Sequence, residues 1–208
     1  HQLKLPKELP PIPWSEEELW AARKRDEGSS LTLIAPGLTM QALYQRRDNQ
    51  ATDKGKILYD TDWYQKEAFF TTETTGKHWH WRLTTNSEIP DSTSETYLGQ
   101  TGVVARYLGV IFEGRELPVV YQAAIAEFEK EQERLAKLMN DDWQAAAKQL
   151  AALQLNQFCR ESPAQVLYRL VTYEAVNHER LLEGMYTWTN ALTSDGGLVR
   201  VGPFDRGG

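Results

Sequence analysis

The sequence predicts a helix-rich α+β fold, an antiparallel helix bundle with a small β-sheet. Val119 to Trp188 holds the one long, strongly periodic helical pattern in the chain. Three short runs rich in β-branched, aromatic or leucine residues, Leu31 to Ala35, His78 to Thr85 and Leu198 to Val201, are flanked by glycine or proline and read as strands. A chain of 208 residues buries a core of useful size without disulfides.

Taken in order, the first thirteen residues carry Pro6, Pro10, Pro11 and Pro13 and are expected as an extended arm, pinned to the surface by Leu9, Ile12 and Trp14. Ser15-Glu16-Glu17-Glu18 is a capping-box pattern that opens a short helix through Leu19, Trp20 and Ala22 to about Asp26, with Gly28 as its stop. The strand Leu31 to Ala35 ends at Pro36-Gly37, and Thr39 caps a helix through Met40, Leu43 and Tyr44. Arg46 to Lys56 reads as a loop and Ile57 to Tyr59 as extended chain. Asp62 is expected to cap a short helix holding Trp63, Tyr64, Ala68, Phe69 and Phe70.

Alternation along His78 to Thr85 places Trp79 and Trp81 on one strand face and His78, His80 and Arg82 on the other. After Pro90, Ser92 and Glu95 form a second capping box for a helix reaching Phe112, with Tyr97, Val104, Leu108 and Ile111 on its stripe. Gly99, Gly102 and Gly109 each cost about 1 kcal/mol relative to alanine in that helix, which points either to a closely approaching backbone or to a kinked, frayed helix.

Pro118 opens the long helix. Its stripe is Tyr121, Ile125, Phe128, Leu135 and Met139, and its opposite face carries Glu127, Glu129, Lys130, Glu133, Arg134 and Lys137. Asn140, Asp141 and Asp142 cap a second helix that buries Trp143, Ala146, Ala147, Leu150 and Leu153. Ser162-Pro163-Ala164-Gln165 starts a third, with Val166, Leu167, Leu170, Val171, Val176, Leu181 and Leu182 on its apolar face and Gly184 as its stop. Short connections predict antiparallel packing. The expected organisation is an arm with a helix–strand mixture over 1–91, a helical bundle over 92–188 and a turn–strand segment over 189–208, together one compact domain. An isolated Leu198 to Val201 strand leaves its backbone groups unpaired, so it needs a partner: Leu31 to Ala35, His78 to Thr85 or a second copy of the chain, with Trp188 anchoring the connection.

The net charge of −6 argues against a nucleic-acid partner. No apolar run approaches the ~20 residues that cross a bilayer, and the amino terminus lacks the apolar core of a signal peptide, so a cytoplasmic protein with no membrane partner is expected. The single cysteine, Cys159, reads as a small buried apolar residue, with no flanking signature of a nucleophile.

His78 and His80 could offer two imidazoles to a metal from one strand face, but no spacing identifies a third ligand, and the expectation is no metal and no cofactor. Glu174 and His178 are four apart and lack the repeated three-residue spacing of a di-metal bundle. Asp60, Asp62, Asp141 and Asp142 read as helix caps. Phosphate-binding loops, dinucleotide fingerprints and nucleophile elbows are missing from the sequence. Seven tryptophans exceed what the core needs, and Trp79, Trp81 and Trp188 are candidates for a stacking or carbohydrate-type surface.

Several phrases resemble a family of uncharacterised proteins from uncultured, small-genome bacteria: GKILYDTDWYQKEAFF, IPDSTSETYLGQT, KLMNDDWQAAAKQLAALQ, RLLEGMYTWT and GLVRVGPFD. The resemblance spans about Pro10 to the end and implies an aspartate- and aromatic-rich continuation after Asp205. Trp188-Thr189 and Gly197-Leu198-Val199-Arg200-Val201-Gly202 are also similar to the closing part of the formylglycine-generating-enzyme type of C-type-lectin-like fold. That enzyme activity is not implied, because its catalytic cysteines have no counterpart. The fold's use in variable ligand-display proteins implies instead a display scaffold. The functional expectation is therefore a non-catalytic binding or ligand-display scaffold for a protein or carbohydrate, with Trp79, Trp81, Trp188, Asp205 and Arg206 as binding residues. The alternative is a metal-dependent or carboxylate-based hydrolase with its site near His78 and His80.

Overall fold

The computed structural model describes residues 5–26, 29–48, 58 and 61–202. It is helix-rich α+β: α1 (Glu16–Arg25), β1 (Ser30–Ile34), α2 (Met40–Asp48), a 3-10 turn (Thr61–Trp63), α3 (Ala68–Thr71), β2 (His80–Thr84), α4 (Tyr97–Ile111), α5 (Val119–Asp141), α6 (Trp143–Ala152), α7 (Gln154–Cys159), α8 (Pro163–Asn177), β3 (Thr187–Leu192) and β4 (Leu198–Val201). The chain divides into two compact units. One is built from His1–Ser87, Ser162–Thr187 and Arg200–Gly208, the other from Glu88–Glu161 and Trp188–Val199.

In the first unit, β1 and β2 pair antiparallel from Ser30↔Thr84 to Ile34↔His80. α8 packs on α2, α3 and β1. Val166, Leu167 and Leu170 of α8 share this unit's interior with Ile34, Ala35, Leu43, Phe69 and Phe70. Both halves of the Ser162/Gln165 capping box are present. Gln165 also donates its amide to the Thr75 carbonyl at 3.0 Å, and the Tyr168 hydroxyl donates to the Leu33 carbonyl at 3.0 Å. Thr75 is fully buried; its hydroxyl donates to the Ala35 carbonyl and accepts the Leu38 amide.

In the second unit, α5 packs against α4, α6 and α7. Phe128 and Leu135 from the α5 stripe meet Leu108 of α4, Leu150 of α6 and Leu155 of α7 in one apolar cluster. Asp142 leaves helical geometry at φ −150° and accepts the Ala145 amide, so the expected cap makes a full break between α5 and α6.

Several expected boundaries move, each for a local reason. α4 starts at Tyr97 under a Thr96 cap and not at Ser92, because Asp91 and Ser94 take left-handed backbone conformations that a helix excludes. α2 runs on to Asp48, past the expected loop start at Arg46. Asp62 sits inside the 3-10 turn, and the α-helix containing Phe69 and Phe70 begins separately at Ala68. α7 was not expected. Leu153 turns extended to bury its side chain, and the Glu127 carboxylate accepts the first free amide of the restarted helix, from Gln154, at 2.9 Å. α8 stops at Asn177 under a left-handed His178 cap, well before Gly184.

Trp143 and Val176 are exposed where burial was expected, since they occupy the first and penultimate positions of their helices, beyond the packed turns. Met139 is exposed near the end of α5 for the same reason. Of the helical glycines, Gly102 meets the Phe128 ring and the Arg106 side chain at ordinary contact, Gly109 faces open space and Gly99 abuts Glu95 of its own segment, so the glycines mark no backbone approach. β4 pairs with β3, a strand the sequence did not announce, and not with β1 or β2. The short turn closed by the Thr193 amide on the Gly197 carbonyl at 2.8 Å brings the two together at little entropic cost. Gly28, Ile57, Tyr59 and positions 49–56 of the expected loop lie outside the described residues.

Candidate interaction surfaces

Trp81 is partly buried on β2, opposite Leu33 in the β1 register, and Leu31 pairs with Leu83 on the same face. Its indole N–H donates to the Pro10 carbonyl of the arm at 2.9 Å. The arm is therefore held by Trp81, while Leu9 and Ile12, expected as its pins, are exposed. Trp79 precedes β2 and is partly buried. Trp188 belongs to the second unit, where it packs edge-on to Tyr97 with ring centroids 5.6 Å apart. Asp205 and Arg206 lie outside the described residues.

His78 is exposed, and its carbonyl lies 3.0 Å from the His80 ring. Among the described residues no group of three or more His, Cys, Asp or Glu side chains converges, so the structure adds no third ligand to this pair. Glu174 is buried with Arg180 at 3.9 Å, whereas His178 is the exposed C-cap of α8. Cys159 is partly buried against the apolar cluster of the second unit.

The most concentrated polar chemistry in the second unit is a buried network around Arg160. Its guanidinium lies 4.1 Å from the Tyr97 ring centroid and donates to Asn156 Oδ1 at 2.8 Å and Gln100 Oε1 at 2.6 Å. Longer contacts of 3.4 Å reach the Tyr97 carbonyl and the Thr101 hydroxyl. Burial lowers the Arg160 pKa, and the attraction of Tyr97 and Cys159 partly offsets that. Burial also pushes the Tyr97 phenol up to about 12, with Arg160 acting weakly in the opposite sense. The phenol itself donates to the Thr189 carbonyl at 3.1 Å. Every partner of this arginine is part of the fold, and the arrangement joins α4 to α7.

An open groove of about 620 Å³ runs along α5, with Leu135 and Leu153 in its lining and Lys130, Glu131 and Arg134 also bordering it. Arg134 donates to Glu131 and to Gln149, both at 2.6 Å, so these groups are matched within the groove.

The surface that stands out is apolar, at the corner joining α4 to α5. Val110, Val119 and Val120 are 53, 74 and 56% exposed. Tyr121 connects the corner inward: its ring lies 5.8 Å from Phe112 and 6.3 Å, edge-on, from Phe158 of α7, itself 45% exposed. The sequence reading passed over this corner because it followed the buried stripe. Its signal was the off-stripe pair Val119-Val120 ahead of Tyr121, where a solvent-facing first turn ordinarily carries acidic residues.

No known protein family, curated protein or solved structure matches the chain.

Proposed function

We propose that the protein is a non-catalytic binding protein and that the α4–α5 corner is a contact surface for a protein partner. The observation that supports this most directly is the exposure of Val119 and Val120 in the first turn of α5, next in the chain to Tyr121, whose ring lies against Phe112 and the exposed Phe158. Isolated surface hydrophobes are ordinary, but exposed valines beside a partly covered aromatic cluster keep water against apolar surface that a partner would release. The chemistry favours protein over carbohydrate. Sugar recognition uses flat aromatic faces with convergent polar groups, whereas the groups exposed here beside Phe158 are aliphatic valines. The hydrolase alternative near His78 and His80 draws no comparable support.

A photo-crosslinking residue at Val120, used in the native cell, tests this. The expected result is a discrete conjugate that disappears when Val119→Ser and Phe158→Ser are added and that does not form from the exposed Lys137 position on the same helix. No conjugate, or equal yield from Lys137, refutes the reading. A conjugate of twice the chain mass identifies a second copy as the partner.

A further inference from the structure

The first unit contains a second surface, one that already holds a ligand-like segment. Leu9, Pro10 and Ile12 each precede a proline, which pushes them to extended or polyproline-II backbone, while Pro10, Pro11 and Pro13 have φ fixed near −65°. The stretch Leu9 to Pro13 is thus stiff and extended before it touches anything, and it contains no helix or strand. Prolines also lack an amide hydrogen, so this stretch cannot build a full backbone ladder of its own, and its carbonyls are left for a neighbouring donor.

The receiving surface is built for such a segment. Leu31, Leu33, Trp81 and Leu83 share one face of the β1–β2 pair by register, and all four are only partly buried. Trp81 combines a broad apolar ring with one donor, and that donor meets the Pro10 carbonyl at 2.9 Å. An aromatic ring that packs on a polyproline-II ridge while its indole N–H takes a backbone carbonyl is a general solution to proline-rich recognition. The contact spans 71 positions of sequence, so chain connectivity does not impose it locally. Leu9 and Ile12, three apart and hence on one ridge of a polyproline-II helix, remain exposed.

We propose that the Trp81 face of β1–β2 is a receptor for extended proline-rich segments, that the chain's own Leu9–Pro13 occupies it in cis, and that a proline-rich segment of a partner protein displaces the arm. Tethering gives the arm an effective concentration on the order of millimolar, so an external ligand competes with it and binds weakly until the arm is disabled. None of these residues belongs to the 110–121 corner, so either surface can fail without the other.

The probe is a synthetic peptide of the arm sequence LPKELPPIP, titrated into the full-length protein while the Trp81 indole N–H resonance is followed. In the wild type the resonance moves only at millimolar peptide. In Pro10→Ala/Pro11→Ala, which keeps the arm's length but relaxes its backbone, the peptide binds at least tenfold more tightly. Trp81→Phe in that background keeps an aromatic ring, removes the donor and weakens binding by about fivefold to tenfold. Equal affinity for wild type and double variant, or equal binding of a peptide with its prolines replaced by glycine, overturns the proposal. If the double variant does not fold, the wild-type titration decides alone: a Trp81 resonance unmoved at millimolar peptide overturns it. A two-chain species formed by arm exchange assigns the face to a second copy and overturns the partner assignment.

Discussion

Arg160→Ala should cost the protein about 3 to 5 kcal/mol, and the size of that loss follows from counting protons. The Thr101 hydroxyl lies within hydrogen-bond distance of two buried acceptors, the Tyr97 carbonyl at 2.8 Å and Asn156 Oδ1 at 3.1 Å. It has one proton, and that proton is free to serve Asn156 Oδ1, because the Tyr97 carbonyl in the first turn of α4 also takes the helical amide of Thr101. Arg160 adds protons to Asn156 Oδ1 at 2.8 Å and to Gln100 Oε1 at 2.6 Å. Without the guanidinium, the part-buried Gln100 Oε1 loses that donor and Asn156 Oδ1 keeps only one, at about 1 to 3 kcal/mol. The desolvated contact over the Tyr97 ring adds roughly 1 to 2 kcal/mol, and the vacated volume adds more. Removing the cost of keeping a charge buried offsets part of the total, which leaves about 3 to 5 kcal/mol. For a chain of this size the thermal midpoint should fall by roughly 10 °C. Near-ultraviolet circular dichroism follows the loss within the second unit, because Trp188 stands edge-on to Tyr97 there. Arg160→Met restores volume but not the donor, so the gap between the two variants isolates packing from the unsatisfied acceptor. An Arg160→Ala protein within about 1 kcal/mol of wild type in denaturant unfolding would refute the proton count.

Two further outcomes follow from the same geometry. At Gly202 (φ +133°), a Cβ would lie 2.1 Å from the Met185 carbonyl oxygen, so Gly202→Ala should lose more than about 3 kcal/mol, whereas Gly114→Ala, with left-handed φ but open space, should lose about 1; equal losses in urea unfolding would exclude a close approach at Gly202. The Tyr97 phenol, raised from 10.0 to about 12 by burial, makes a contribution that is fully present below pH ~10 and is lost as pH rises toward 12, a decline of about 3 kcal/mol that ultraviolet titration and unfolding at stepped pH should both register; a phenol ionising with the exposed tyrosines would contradict the burial.

Features whose information is local were legible in the sequence. Ser15 with Glu18 and Ser162 with Gln165 both form the capping boxes their spacing announces, because cap and partner lie within one turn and need nothing from the rest of the chain. The α5 stripe puts Phe128 and Leu135 in the core, as the 3.6-residue period requires. The Ser92–Glu95 box has the same letters and fails, because left-handed residues at Asp91 and Ser94 turn the chain there, and nothing in a four-residue pattern encodes backbone handedness. β3 escaped notice because TWTNAL straddles the boundary drawn after Trp188 between the helical block and the turn–strand segment, although its tryptophan and threonines suit a strand. Its pairing with β4 then replaced the long-range partners that an unpaired strand seemed to require.

The candidate surfaces divide along the same line. Trp79 falls outside β2, whereas alternation sets Trp81 on the face opposite His80 and Arg82, since a pleated strand has no other option. It cannot say which segment lies on that face, and the answer lies 71 residues earlier. Arg160 is the harder case, because arginine is ordinarily a surface residue and a helix-end position strengthens that expectation. Only the convergence of Gln100 and Thr101 from α4 with Asn156 from its own helix makes burial affordable, and no single one of those positions is unusual by itself. A polar residue held by acceptors from two helices reports on how those helices dock, whereas an apolar residue left outside every stripe reports on what the fold leaves uncovered. By that reasoning Val119 and Val120, exposed at the start of α5, carry the proposed contact in the second unit, as the half-buried Trp81 carries the one proposed in the first.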